Sequence, residues 1–140
     1  MDSLLIYTDG ASRGNPGSAG AGAVIFKGEE LIAEIKQFLG QQTNNWSEYE
    51  AVALALSRVK DMGLEQLDVE IKLDSKLVAE QLSGNWKIKS DTIRDQYRKV
   101  QEILSKGFAP VTYTHIRREL NTHADQLAND AIDDALRLRK

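Results

Sequence analysis

The sequence contains no cysteine, which excludes a disulfide framework and any metal site built on thiolates. No apolar run approaches the roughly 20 residues that a membrane-spanning helix needs. The apolar stretch at residues 4–7 is too short for the core of a signal peptide. We therefore expect a soluble, cytoplasmic protein with no membrane partner. The length of 140 residues favours a single domain over residues 1–140.

Charge of one sign is not in excess either, because 18 basic and 21 acidic side chains give a net charge of −3. Nucleic-acid-binding domains are commonly more basic, since neutralising phosphates supplies much of their affinity. The basic residues of the second half are nevertheless grouped: Lys87, Lys89, Arg94, Arg98 and Lys99, then Arg117 and Arg118. Two interpretations stay open here, a solvated helix face and a surface that contacts phosphates.

The periodicity of the apolar residues predicts five strands and four helices. The strands are expected at residues 3–9, 21–26, 31–39, 67–73 and 111–116, with a glycine-rich turn at 10–19. The helices are expected from residue 45 to a stop at 62–63, and at 75–82, 91–105 and 122–138. The order βββαβααβα predicts a mixed sheet that begins as an antiparallel meander and carries helices on its faces.

Four acidic residues lie where predicted elements begin or end: Asp9, Glu48, Asp74 and Asp125. A single aspartate at a strand end is usually part of a turn or a helix cap. If folding gathers the four carboxylates, their mutual repulsion is tolerable mainly when cations neutralise them. Oxygen ligands without cysteine favour Mg²⁺ or Mn²⁺ over Zn²⁺. The four acids therefore predict metal-assisted phosphoryl chemistry.

The segments around these acids, taken together, resemble the type 1 ribonuclease H family. They are YTDGASRGNPG at 7–17, TNNWSE at 43–48, LDS at 73–75 and NTHAD at 121–125, and the resemblance covers essentially the whole chain. It implies an α/β ribonuclease H-like fold, with a five-stranded sheet of three antiparallel strands and then two parallel ones. It also implies sequence-independent endonucleolytic cleavage of the RNA strand of RNA–DNA hybrids, leaving 5′-phosphate and 3′-hydroxyl ends.

The resemblance gives each acid a role at a pair of Mg²⁺ or Mn²⁺ ions. Asp9 would bridge both ions. Glu48 and Asp74 would hold the ion near the leaving 3′ oxygen, and Asp125 would hold the ion that activates the attacking water.

Two basic side chains are further catalytic candidates. His115 has the sequence offset from Asp125 of a mobile histidine that many members carry, although it falls in a predicted strand and a structural role is the more common one. Arg118 would substitute for that histidine by stabilising charge near the scissile phosphate. His123 is expected to point outward from the start of the last helix.

Eight residues are expected to contact the hybrid: Gly10, Ser12, Asn15, Thr43, Asn44, Asn45, Lys76 and Trp86. The resemblance implies that backbone groups of the first three, with the Asn44 side chain, read the 2′-hydroxyl and the minor groove. Asn45 and Lys76 would add minor-groove contacts, and Thr43 matches a contact to a DNA phosphate. Trp86 would either stack on a DNA sugar or cover the rim of a helix junction.

The chain departs from many family members at two places. Residues 84–90 (GNWKIKS) stand where others carry a long basic protrusion, and Gln41 stands where several carry an arginine. The short segment and the acidic net charge predict weak, salt-sensitive affinity for the hybrid, and Gln41 predicts a weakened contact to the DNA phosphate. Double-stranded RNA or an RNA–DNA junction stays open as a substrate, and so does a non-catalytic nucleic-acid-binding module. A monomer is expected, because no long exposed apolar stripe is evident.

Overall fold

Strands β1 (Ser3–Gly14), β2 (Gly17–Lys27) and β3 (Glu30–Gln42) form the antiparallel meander. The structure is a computed structural model that describes residues 2–138, with side chains described to residue 137. The predicted glycine-rich turn at 10–19 is wrong, because the β1–β2 ladder continues to the pair Gly14 and Gly17. Only Asn15 and Pro16, joined by a cis bond, separate the two strands. Small residues extend the strands here because helix backbones pack directly on them.

Helix α1 follows β3 directly and leads into two parallel strands. The remaining elements are α1 (Asn44–Asp61), β4 (Asp68–Leu73), α2 (Lys76–Leu82), α3 (Asp91–Leu104), β5 (Val111–His115), a 3₁₀ turn (Arg118–Leu120) and α4 (Thr122–Leu138). β4 pairs in parallel with β1, and β5 pairs in parallel with β4, giving the sheet order β3-β2-β1-β4-β5. The predicted element order and mixed sheet are confirmed, and the 3₁₀ turn is an addition.

The helices divide between the two faces of the sheet. On one face, apolar residues of α1, α2 and α3 build the main core with Ile6, Ile25 and Ile71, all three fully buried. On the other face α4 packs chiefly against β2, where a Cβ on Gly22 would overlap the Ala124 carbonyl oxygen. Within residues 2–138, no helix combines the length and apolar character needed to cross a bilayer.

The parallel pairing of β1 and β4 determines where the acidic residues meet. Thr8 lies opposite Leu73 in the register, so Asp9 and Asp74, the next residues, lie at the same end of the two strands. The Asn121 side chain donates a hydrogen bond to the Thr8 carbonyl oxygen at 2.9 Å and ties the start of α4 to that end. Sites in open α/β sheets form at such strand ends.

Candidate active site

Three carboxylates meet at this end of the sheet. One oxygen each from Asp9, Glu48 and Asp74 lies within 4.8 Å of the others. Glu48 reaches the strand because α1 lies directly on β1: a Cβ on Gly10 would overlap the Ser47 carbonyl carbon and the Glu48 nitrogen. Only glycine permits this approach of two backbones. The side chains of Asp9 and Glu48 are buried, and Asp74 is half-buried.

Burial is the largest cause of the raised pKa of Asp9, followed by the negative charge of Glu48 and a hydrogen bond with it. Burial also raises the pKa of Glu48, with a further contribution from Asp74. A hydrogen bond with Asp9, a bond from the Gly10 backbone and the charge of Arg118 act in the opposite direction on the pKa of Glu48. The cluster is therefore short of positive charge, which is the electrostatic condition that a bound cation relieves.

Two buried oxygens of the cluster, Glu48 Oε2 and Asp74 Oδ2, have no hydrogen-bond partner among the described residues. Buried carboxylate oxygens without partners are rare, because each loses its hydration without compensation. An all-oxygen set of carboxylates suits a hard divalent cation. By charge, ligand chemistry and unfilled bonding capacity, these residues fit Mg²⁺ or Mn²⁺.

Asp125 lies beside the three-carboxylate group, in the first turn of α4, and its side chain hydrogen-bonds with that of Asp9. A cavity of about 360 Å³ opens here, and its lining includes Asp9, Asn44, Arg118, Asp125 and Asn129. Residues 10–12 complete the wall. The structure thus brings the four predicted acids together, three in one tight group and the fourth through Asp9.

Asn129 is a residue of this cavity that the sequence analysis did not select. Its amide nitrogen donates to the Asp125 carbonyl oxygen at 3.0 Å and to the Asp125 carboxylate at 3.3 Å. Arg13 donates to the Asn129 side-chain oxygen at 3.3 Å and pairs with Asp133 at 2.7 Å. The spacing Asp125, Asn129, Asp133 is one helix face, so the i, i+4 rule is the signal that could have found it.

The two basic candidates differ in position. Arg118 lies in the 3₁₀ turn, lines the cavity of the acids and lowers the pKa of Glu48 by its charge. His115 is the exposed last residue of β5, paired in register with Leu73, and does not line that cavity. His123 bonds to Glu34 on the α4 side of the sheet.

Some of the residues predicted to contact the RNA strand also form hydrogen bonds within the protein. Ser12 Oγ donates to the Gln42 carbonyl oxygen at 2.7 Å, and Asn15 Oδ1 accepts from the Asn44 backbone at 3.1 Å. These bonds attach the β1–β2 hairpin to the end of β3 and the start of α1. The hairpin and the first turn of α1 thus form one continuous wall beside the acids.

A second cavity of about 450 Å³ lies between the first turns of α1 and α3. Thr43, Asn44, Asn45 and Trp46 line it from α1, and Ser90, Thr92 and Ile93 from α3; Asn15 and Gln42 complete the lining. Thr43 and Ser90 are the N-caps of the two helices, accepting from Trp46 and Ile93 backbone nitrogens. Two helix N-termini, each carrying partial positive charge, therefore face one cavity.

A third cavity, of about 570 Å³, is bounded by residues 85–90. Trp86 forms part of its lining and is 44% exposed, with the Lys76 Nζ 5.9 Å from its ring centre. Asn45 lines both this cavity and the second one, so the two are neighbours.

Much of the basic cluster seen in the sequence is paired within the protein. Arg94 bonds to Asp91 at 2.6 Å, Arg98 to Asp95 at 3.4 Å and Lys99 to Glu50 at 2.7 Å. This pairing favours the interpretation of these three as a helix face. Lys87 and Lys89 line the third cavity beside Trp86 instead.

Comparison with known proteins gives consistent results. A family model described as reverse transcriptase-like matches residues 7–131. The ribonuclease HI of Halobacterium salinarum is 42% identical over 130 residues, which cover 92% of this chain and 64% of that protein. The ribonuclease H of Clostridium botulinum is 32% identical over 150 residues, covering 96% and 98%. The chain spans 36% of the length of a bifunctional Mycobacterium tuberculosis protein that is 41% identical over 134 residues.

The fold leads to the same family. The crystal structure of LC11-RNase H1 in complex with an RNA/DNA hybrid aligns with a TM-score of 0.92 at 39% identity, covering 96% of this chain and 99% of that one. The family model, the similarity to proteins named ribonuclease H and the shared fold agree with the motifs around the four acids. This chain therefore belongs to the ribonuclease H family, and the proteins that it resembles include type 1 members.

Proposed function

We propose that this protein is an endonuclease that hydrolyses the RNA strand of RNA–DNA hybrids, independently of base sequence. The observation that carries the proposal is the group formed by Asp9, Glu48 and Asp74, whose carboxylates crowd together with two buried oxygens unsatisfied. Similarity to LC11-RNase H1, which was crystallised in complex with an RNA/DNA hybrid, supports the choice of substrate.

The four acids would hold two Mg²⁺ or Mn²⁺ ions. When bound, such ions lower the pKa of water and stabilise charge on the entering and leaving oxygens of an in-line displacement. Asp9 hydrogen-bonds with both Glu48 and Asp125, so it is the carboxylate best placed to serve both ions. Asp74 and Glu48 would complete one side and Asp125 the other.

In the proposed reaction, water adds to phosphorus, the bond to the 3′ oxygen breaks, and a proton goes to that oxygen. The products carry 5′-phosphate and 3′-hydroxyl ends. Arg118, which lines the same cavity, would contact the scissile phosphate and stabilise its developing charge.

The wall beside the acids would distinguish the two strands. The backbone of Gly10 and Ser12, with Asn15 and Asn44, presents polar groups to the cavity edge where a 2′-hydroxyl would lie. The second cavity, with Thr43 at one helix N-terminus, would hold a phosphate of the DNA strand. The same DNA strand would continue into the third cavity and contact Asn45, Lys76 and Trp86. There Trp86 would stack on a sugar.

The test is cleavage of end-labelled RNA–DNA, RNA–RNA and DNA–DNA duplexes of one sequence, with Mg²⁺, Mn²⁺ or chelator. We expect internal, metal-dependent cuts in the RNA of the hybrid alone. The new ends are identified by degradation with a 5′-phosphate-dependent exonuclease and by extension with poly(A) polymerase, which needs a 3′-hydroxyl. Equal cutting of double-stranded RNA would contradict the substrate, and hybrid binding without cutting would indicate a binding module.

A further inference from the structure

Three polar side chains, here called the α1–α3 clasp, join the two helices: Glu50, Gln96 and Lys99. Glu50 and Gln96 are buried, at 7% and 5% exposure. Lys99 Nζ lies 2.7 and 2.9 Å from the two Glu50 carboxylate oxygens. Gln96 Nε2 donates to Glu50 at 3.1 Å and to the Trp46 carbonyl oxygen at 3.2 Å. All three side chains are thus committed to one arrangement of α1 against α3.

The clasp lies directly behind the second cavity. Glu50 follows the cavity residue Trp46 by four residues, and Gln96 follows Ile93 by three. At a rise of about 1.5 Å per residue, the clasp is about 4.5–6 Å, roughly one helical turn, from the cavity on both helices. Its bond to the Trp46 carbonyl oxygen reaches into the cavity wall itself.

The distance between the first turns of α1 and α3 needs a network of this kind to fix it. Both N-termini carry partial positive charge toward the same space, so they repel each other when no anion lies between them. The cavity also opens between them, so their first turns pack against each other only in part. Apolar contacts alone tolerate sliding, whereas a buried hydrogen-bonded network is satisfied in one register.

We propose that Gln96 is a positioning residue for nucleic-acid binding, and that the α1–α3 clasp sets the separation of the two helix N-termini so that the second cavity fits a backbone phosphate of the DNA strand. This inference rests on the proposed function, since the phosphate belongs to the hybrid. The α1–α3 clasp, which joins two helices, thereby also has a role in nucleic-acid binding.

The test compares Gln96→Met, which keeps the size of the side chain and removes both hydrogen bonds, with Val100→Ala. Val100 is fully buried, one turn further along α3, and is neither a member of the clasp nor a residue of the cavity lining. We expect Gln96→Met to weaken hybrid binding about tenfold with kcat unchanged, because a charged contact is misplaced while the acids are not. Val100→Ala is expected to lower the unfolding temperature at least as much while leaving the affinity within about twofold.

A single neutral methylphosphonate, moved along the DNA strand, locates the effect. In the wild type one position should cost affinity, and in Gln96→Met the same position should cost little more, because the phosphate contact is already lost. Equal affinity of Gln96→Met and wild type, or an unchanged methylphosphonate profile, would refute the role of the clasp. A wild-type protein that neither binds nor cuts the hybrid would refute the proposed function, and the role of the clasp with it.

Discussion

Glu48 and Glu50 lie two residues apart in α1 and are equally buried, at 7% exposure each, but their surroundings are opposite. Glu50 receives hydrogen bonds from Gln96 and Lys99. Glu48 faces Asp9 and Asp74, and its Oε2 atom has no partner among the described residues. The same side chain at the same depth therefore has hydrogen-bonding partners for its charge at position 50 and only partial compensation at position 48.

The difference separates structural charge from functional charge. Burying a carboxylate costs several kcal/mol unless partners replace its hydration. At Glu50 the protein supplies those partners itself. At Glu48 the bond from Gly10 and the charge of Arg118 compensate only in part, because Asp9 and Asp74 add negative charge nearby. That excess of negative charge is destabilising for the protein alone and becomes favourable only with cations present. The unfilled bonding capacity, rather than the acidity of the residues, is what singles out this end of the sheet as the proposed active site.

Removing a charge from the group formed by Asp9, Glu48 and Asp74 should give the largest loss of cleavage activity. Asp9→Asn keeps the shape of the side chain and removes the carboxylate that contacts both Glu48 and Asp125. We therefore expect cleavage to fall at least about 100-fold. The far-ultraviolet circular dichroism and the hybrid affinity should stay close to wild type. Cleavage is followed on a fluorescent hybrid with Mg²⁺. If the variant kept a tenth of the activity, the assignment of the acids to metal would be wrong.

A smaller loss of activity is expected at Asp125, because this acid has a hydrogen-bonding partner in the protein, Asn129. Asn129→Ala removes the amide that donates to the Asp125 carboxylate, so that carboxylate loses its preferred orientation. Losing such an outer partner of a metal ligand typically lowers metal affinity or activity about 10- to 100-fold. Isothermal titration with Mn²⁺ and measurement of kcat check the prediction. Gln126→Ala, on the same helix and bonded to Asp130, is the matched control and should behave as wild type.

The comparison also predicts how stability depends on pH and metal. The pKa values of Asp9 and Glu48 are raised chiefly by burial, so the cation-free folded protein holds protons that the unfolded chain has released. This contribution is complete below about pH 4 and is lost as pH rises through the raised folded pKa values. The unfolding temperature without metal should therefore fall toward pH 9, and less steeply in Asp9→Asn.

Added Mg²⁺ or Mn²⁺ should raise the unfolding temperature by about 3 °C or more at pH 8.5, and by less at pH 5.5, because cations and protons compete for the same oxygens. Differential scanning calorimetry measures both effects. Lys99→Met provides the contrast, since it should lower the unfolding temperature with or without metal by leaving Glu50 without its cation. An equal metal effect in Asp9→Asn and wild type would contradict the assignment.

The smallest effect is expected at His115. Its side chain is exposed at the end of β5 and lies apart from the cavity of the acids. His115→Ala should change kcat by no more than about twofold, the range typical of surface substitutions. A pH–rate profile of the variant is the sensitive check. A loss of about 100-fold, or the disappearance of a limb of the profile, would give this histidine a part in the reaction.

The sequence was sufficient to predict the order of elements and the gathering of the four acids in space, for two physical reasons. Apolar periodicity is strong in α3 and α4, and the acids lie inside segments rich in turn and capping residues. The extent of β1 and β2 was mispredicted because glycine and alanine disfavour strands in isolation. In the folded protein, Gly10 and Gly22 are in strands because helices lie on them.

The partners of buried groups were harder to predict. The pairs Asp91–Arg94 and Asp95–Arg98 have the i, i+3 spacing of helix neighbours, so these ion pairs were readable from the chain. Glu50 and Lys99 are 49 residues apart, and nothing in their local sequence indicates that they meet. Long-range pairing of this kind depends on how helices pack, which periodicity does not specify.

The contacts at Gly10 and Gly22 have a consequence for changing this protein deliberately. The heights of Glu48 and Asp125 above the sheet are both set by backbone lying on backbone, with no side chain between. There is consequently no spacer whose size a designer could increase by one methyl group to widen the site gradually. Altering the distance between the acids would require inserting or deleting a residue, or rebuilding a helix. The backbone spacing of the site is adjustable only in large steps, which makes it resistant to gradual change.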